Sequence, residues 1–339
     1  MPLLPLPLPL PPPPLYLSNG AAQGLFVAFA PSFFGFYAYL GFLEGLDSVS
    51  LLPTLPLAPS ASGGAAPRLG ACGSSAGAIA AAVLTTAPPS SLSRLTTNIG
   101  SLKLSQVADT YPLPFLFRGG VLRGESFREI MSSQLSSFGT KPVTRIEDAL
   151  VPLVITVYSL LPSWLRLPGS PSSPSGTLYL SSGDLANAVR ASSAFPLLFA
   201  PVFWGWESPS GDPMRPRVGA SRDWSLLLDG GIGDVHGTGG LTKLYGAHAN
   251  LGEKRVLHVI MSDGNPAHDW GWTLPSPDEL GADQVVTVII RNLPKVGPLH
   301  MENGKAAMQI VKERVGKAID INMTAIAKNH YVLALDGKQ

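Results

Sequence analysis

The chain reads as short apolar runs set between stretches of helical spacing and Pro/Gly/Ser-rich loops. The runs lie at residues 25–30 (LFVAFA), 69–72, 151–158 (VPLVITVY), 177–180, 225–228, 255–261 and 284–290. Unbroken apolarity over so few residues is what strands covered on both faces require, as in a parallel α/β sheet. Helices are predicted at about 36–46, at 76–86 (AGAIAAAVLTT, stopped by Pro88-Pro89), at 124–137, at about 184–191, and at 302–320 as the closing helix. Residues 48–67, 162–176 and 206–222 read as loops, the last as a surface insertion. Strands alternating with helices predict an α/β layered fold without internal repeats.

One segment admits a second reading. Residues 25–43 carry no charge, and by length alone they form a transmembrane candidate. Pro31, Ser32, Gly35 and Gly41 interrupt the run. The favoured reading is therefore a buried strand at 25–30, a turn at 31–35 and a buried helix after it. Ahead of it, residues 1–22 are expected to be a disordered leader, beginning with the Pro/Leu run MPLLPLPLPLPPPPL. That run has neither the basic start nor the unbroken apolar core of a signal peptide. Residues 23–325 are expected to form the main domain and 326–339 a C-terminal tail.

Composition narrows the function classes. With 24 Lys+Arg against 23 Asp+Glu the net charge is +1 over 339 residues, which offers no footprint for nucleic acid and no polybasic patch for anionic lipid. Charged residues are 14% of the chain, against about 25% in an ordinary soluble domain. Only Glu44 and Asp47 are charged before Arg68. The single cysteine, Cys72, excludes a disulfide framework within the chain and a Cys-rich zinc site. No metal or other cofactor is expected. An intracellular setting is favoured, and the compartment stays open.

The sharpest local pattern is Gly73-Ser74-Ser75-Ala76-Gly77, a G-x-S-x-G between a predicted strand and a predicted helix. A serine on so tight a turn sits in strained backbone, and its neighbours must be small for the helix to approach the strand. Gly73 and Gly77 supply that room and select Ser75 over Ser74. The helix start aims N–H groups at the reacting oxygen, which makes the Ala76 amide a natural oxyanion donor. A serine nucleophile needs a base. None of the six histidines sits in a triad signature, and His258, inside an apolar strand, reads as a packed residue. Asp229 is the better candidate, ending the run Leu226-Leu227-Leu228 ahead of Gly230-Gly231. A triad built from Asp229 and His236 remains an alternative.

Together these segments resemble the patatin-like phospholipase family. The elbow GSSAG resembles its nucleophile motif and Asp229-Gly230-Gly231 its aspartate motif. Between them, Ala191, Ser192, Ala194, Pro196, Phe199, Pro201 and Val202 fit, in order, a block that the family carries shortly before its aspartate. The resemblance covers residues 25 to about 325. It implies a three-layer sandwich with a central, mostly parallel sheet, and lipid acyl hydrolysis by a Ser75–Asp229 dyad through an acyl-enzyme, without catalytic histidine. The implied partner is a lipid or other acyl ester, with peripheral membrane or lipid-droplet contact left open. The family's glycine-rich oxyanion loop is matched here only by Ala30-Pro31-Ser32-Phe33-Phe34-Gly35. Of its glycines Gly35 alone survives, and Pro31 has no N–H to give. The amides of Ser32 and Phe33 are the remaining candidates beside Ala76. A lipid-binding protein that kept the fold and lost turnover is the rival reading. The aromatic stretch Phe33, Phe34, Phe36, Tyr37, Tyr39 and Phe42 is a candidate acyl-channel wall, with helix core packing the alternative for most of it.

Overall fold

In the computed structural model, residues 24–49, 68–110, 119–137, 142–160, 176–205, 224–247, 252–262, 274–318 and 324–338 are described. The leader, most of the loops expected at 48–67 and 162–176, and the insertion at 206–222 lie outside them. In chain order the elements are β1 (Gly24–Phe29), α1 (Phe36–Ser48), β2 (Arg68–Ser74), α2 (Ala76–Thr86), α3 (Pro89–Gly100), α4 (Leu104–Val107), β3 (Gly120–Leu122) and α5 (Glu125–Ser136). There follow β4 (Leu153–Ser159), β5 (Gly176–Leu180), α6 (Leu185–Ser192), β6 (Leu197–Phe199), β7 (Val202–Gly205), β8 (Trp224–Asp229) and α7 (Leu241–Gly246). The chain ends in β9 (Lys254–Met261), α8 (Pro277–Leu280), β10 (Gln284–Arg291), α9 (Gly304–Ala318), β11 (Thr324–Ala327) and β12 (His330–Asp336).

The main sheet runs β11-β12-β10-β9-β1-β2-β4-β8-β7, with β5 also paired to β4. From β12 through β4 the neighbours are parallel. Strands β5, β7, β8 and β11 join antiparallel. The sheet is thus mixed and mostly parallel, with helices on both faces. Val27 and Phe29 of β1 point into a large core shared with α1, α2, α3, α5, α6 and α9. Phe26 and Ala28 point the other way, onto Leu241 and Leu244 of α7. Two buried faces explain why the strand runs carry no alternating polar positions.

The uncharged segment 25–43 folds as strand, turn and helix, and no described helix is long and apolar enough to cross a membrane. Two strands follow the helix expected to close the fold. Residues expected to be a tail carry β12, which pairs in parallel with β10. The small strands β3, β6 and β7 were also unpredicted. Their three or four residues are too short to show a period.

Helix α1 is buried along nearly its whole length, with α9 lying across it. Its one buried carboxylate, Glu44, is satisfied by Lys312 of α9 at 3.0 Å and by the Thr96 hydroxyl of α3 at 2.5 Å. The two helices meet through glycine: a Cβ on Gly41 would collide with the Met308 backbone carbonyl. In an exposed helix Gly→Ala stabilises by about 1 kcal/mol. Gly41→Ala is expected to do the reverse, destabilising by about 1–3 kcal/mol through overpacking. A lowered denaturation midpoint with unchanged slope is the check.

Candidate active site

Strand β2 ends at Ser74, and the chain turns into α2 at Ser75. Ser75 has φ 54° and ψ −124°, a sparsely populated combination for a residue with a side chain. Such a conformation costs on the order of 1–3 kcal/mol and persists only when its surroundings hold it. The surroundings here are glycines and alanines. A Cβ on Gly73 would strike the Gly77 carbonyl, and one on Gly77 would strike the Phe29 carbonyl of β1. Helix α2, buried on every side, therefore seats directly over β1 and β2.

Asp229 ends β8 beside β4, paired with Val157. It caps the single turn Gly230–Ile232, accepting the Gly231 N–H on Oδ1 at 2.8 Å. Its other oxygen, Oδ2, accepts the Ser75 hydroxyl at 2.7 Å. The glycines here are again required by space. A Cβ on Gly230 would meet the Thr156 carbonyl, and one on Gly231 would come within 2.7 Å of Pro31. Residues 154 apart in sequence are thus brought into one hydrogen bond. Ser74, the neighbouring serine, is fully buried with its hydroxyl beneath Gly230.

The pair opens onto a cavity of about 360 Å³. Ser32, Phe33, Ser75, Ala76, Asp229 and Gly231 line it, and the remaining walls are almost wholly apolar, from Phe36 and Ile79 to Phe127 and Phe199. Asp229 is the only ionisable side chain in the lining, among the described residues. It is 3% exposed, and burial pushes its carboxyl from 3.8 up to about 6 against the lowering effect of the Ser75 and Gly231 hydrogen bonds. As the first residue of α2, Ala76 has an N–H with no carbonyl partner inside its helix. Gly35 ends the turn after β1 with no room for a Cβ, because Ser32 and the Met261 sulfur crowd it.

The expected aromatic wall divides in two. Phe33, Phe34 and Phe36 line the cavity, whereas Tyr37, Tyr39 and Phe42 are packed into the core of α1. Phe195 joins the lining from the turn after α6, its ring 5.4 Å from that of Phe33. Phe127, Phe199 and Met301 also belong to it. Phe127, Phe195 and Met301 were not singled out from the sequence, and Phe199 stood there only in the block ahead of Asp229, since nothing in a sequence distinguishes an apolar residue facing a cavity from one facing a core. No histidine lines the cavity among the described residues. His258 is buried in β9 with Nε2 2.9 Å from the His236 carbonyl, and burial pushes its imidazole down to about 3. Cys72 is buried in β2, its thiol directed at the Gly237 carbonyl.

A mostly parallel sheet between helix layers, with a serine on a strained strand-to-helix turn above an apolar cavity, defines an α/β protein with a candidate nucleophile elbow. The profile described as patatin-like phospholipase matches residues 33–241, more than half of the chain. The chain belongs to the patatin-like phospholipase family, a family of lipid acyl hydrolases. No curated protein matches it.

The raised Asp229 carboxyl has a consequence for stability. Between its ordinary value of 3.8 and about 6 the folded state holds a proton that the unfolded chain has lost. Stability therefore falls as pH rises through that window and stays lowered above it, by on the order of 3 kcal/mol. Asp229→Asn, which cannot ionise, is expected to melt higher than the parent at pH 8 and to lose that advantage near pH 4. Thermal melts of both proteins at the two pH values are the check.

Proposed function

We propose that the protein cleaves fatty-acyl esters through a Ser75–Asp229 dyad and an acyl-enzyme. The observation that carries this reading is the 2.7 Å hydrogen bond from Ser75 Oγ to Asp229 Oδ2 at the wall of an apolar cavity. Ser75 Oγ attacks the ester carbonyl while its proton passes to Asp229. A carboxyl held near 6 is ionised at neutral pH and still basic enough to accept that proton. The Ala76 N–H and the amides of Ser32 and Phe33 receive the developing oxyanion. The alcohol leaves with the proton from Asp229, and the acyl group remains on Ser75. Asp229 then takes a proton from water, which attacks the acyl-enzyme; the Ser75 Oγ–acyl bond breaks as Asp229 returns that proton to Oγ, and the fatty acid is released. The acyl chain lies against Phe33, Phe36, Ile79 and Phe127.

The altered oxyanion loop favours a second reading, that of a lipid-binding protein with little turnover. Pro31 removes one donor from the loop, and a lost oxyanion donor typically costs about 10²–10³ in rate. A fluorophosphonate probe separates the readings. Ser75 is expected to be labelled, Ser75→Ala not at all, and Asp229→Asn at least about 100-fold more slowly. The labelling rate should fall as pH drops below about 6, where Asp229 takes up its proton. Unlabelled parent protein that still binds lipid would favour the second reading.

The mouth of the cavity suggests how a lipid aggregate is met. Phe33, Phe195 and Ile232 all line the cavity and are 52%, 48% and 45% exposed. Three large apolar side chains held in water around one opening suit contact with a membrane or droplet surface, whose attraction is apolar rather than electrostatic. The double variant Phe195→Ser/Ile232→Ser is expected to lose about tenfold or more in activity on vesicles of neutral phospholipid, since each large apolar side chain removed from a lipid surface forfeits about 1 kcal/mol or more. Its activity on a soluble short-chain ester should change much less, as paired assays would show.

A further inference from the structure

Both members of the Ser75–Asp229 pair are tied to one short segment, the end of α6 and the turn after it. The Ser192 hydroxyl accepts the Ser75 N–H at 2.8 Å. The same hydroxyl donates its proton to the Thr156 carbonyl of β4 at 2.6 Å. A hydroxyl has one proton, so the bond to Thr156 turns a lone pair toward Ser75. Ser192 is fully buried, so no water competes for either contact. Two residues on, the Ala194 carbonyl accepts the Asp229 N–H at 3.1 Å. Thr156 itself precedes Val157, the residue paired with Asp229 across β4 and β8.

These contacts bear on the strain at Ser75. A residue with φ 54° and ψ −124° relaxes unless its neighbours hold it. The small residues around the elbow remove obstacles to that conformation without securing it. The bond from Ser75 N–H to Ser192 acts on the strained residue directly. It anchors the residue to the strand beside Asp229. It also occupies the N–H of Ser75, which leaves the oxyanion to the next amide, that of Ala76.

We propose that Ser192 is a positioning residue: it locks the elbow in the conformation that presents Ser75 Oγ to Asp229, and so sets the rate of attack by Ser75. This rests on the Ser–Asp reading above. Ser192 does not touch substrate, since it does not line the cavity.

The test is the rate of fluorophosphonate labelling per folded molecule, with kcat and KM on a soluble short-chain ester, for the parent protein, Ser75→Ala, Ser192→Ala, Ser192→Cys and Ser192→Thr. Misplacement of a reacting group by about 1 Å can cost about 100-fold. Ser192→Ala is therefore expected to lower the labelling rate and kcat by about 10- to 100-fold with KM within about twofold of the parent. Ser192→Thr keeps the hydroxyl and should recover most of the loss among its folded molecules. Should Ser192→Ala fail to fold, Ser192→Cys fills the same space with a weak acceptor and is expected to fall between parent and the loss forecast for Ala. Parent-like labelling by the folded fraction of Ser192→Ala or Ser192→Cys would overturn the proposal, as would an Ala loss that Thr does not rescue. Labelling that persists in Ser75→Ala would instead overturn the Ser–Asp reading on which it stands.

Discussion

The structure depends on one steric constraint: a helix has to begin directly on top of the sheet, with a serine at the crossing. The crossing works because Gly73 and Gly77 bring backbone against backbone where any side chain would strike a carbonyl. Ser75 then has to adopt a conformation that L-residues avoid. Much else about the fold follows from this seat. Helix α2 is built of small residues and buried on all sides, so it contributes little of its own shape to the core. Larger side chains from α1, α3 and α5 fill the space around it. The glycines after Asp229 meet a similar demand from the opposite direction, giving β8 room to end beside Thr156 and Pro31.

The second determinant is dryness. The Asp229 carboxylate is surrounded by an apolar cavity and held by two hydrogen bonds, one from a side chain and one from the backbone. Burial dominates those bonds and leaves the carboxyl well above its usual range. The same burial that destabilises the ionised carboxylate makes it a better proton acceptor, so basicity and loss of stability have one cause. Glu44, a buried carboxylate near the start of the chain, is treated differently. It is matched by a lysine and a threonine across three helices, and so serves packing. Low overall charge is consistent with both cases, since each buried charge needs its own arrangement of partners or its own shift.

Much of this was legible in the sequence. The strand at 25–30 and the helix at 76–86 could be read because their signals are local: an apolar run cut short by Pro31 and Gly35, and a small-residue stretch stopped by Pro88-Pro89. The elbow was legible for the same reason, since the requirement for small residues on both sides of Ser75 is written within five positions. Asp229 stood out through its place between an apolar run and two glycines. The last two strands were missed because β11 is short and exposed and the stretch into β12 shows no clean alternation, so their place is set by pairing with β12 and β10 respectively.

What the sequence by itself determined was therefore the set of backbone demands: where strands are covered twice, where a turn admits only glycine, and where a lone carboxylate ends an apolar strand. These are properties of neighbouring residues and survive being read in one dimension. Tertiary structure alone decided which groups meet. It brought Ser75 and Asp229 within 2.7 Å across 154 positions, put Phe195 beside Phe33, left Tyr37 and Tyr39 in the core, and turned the Ser192 hydroxyl toward the elbow. The physical reason is that hydrogen bonds and cavity walls depend on distance in space, and the crossover connections of a parallel sheet carry that information far from where the residues are written.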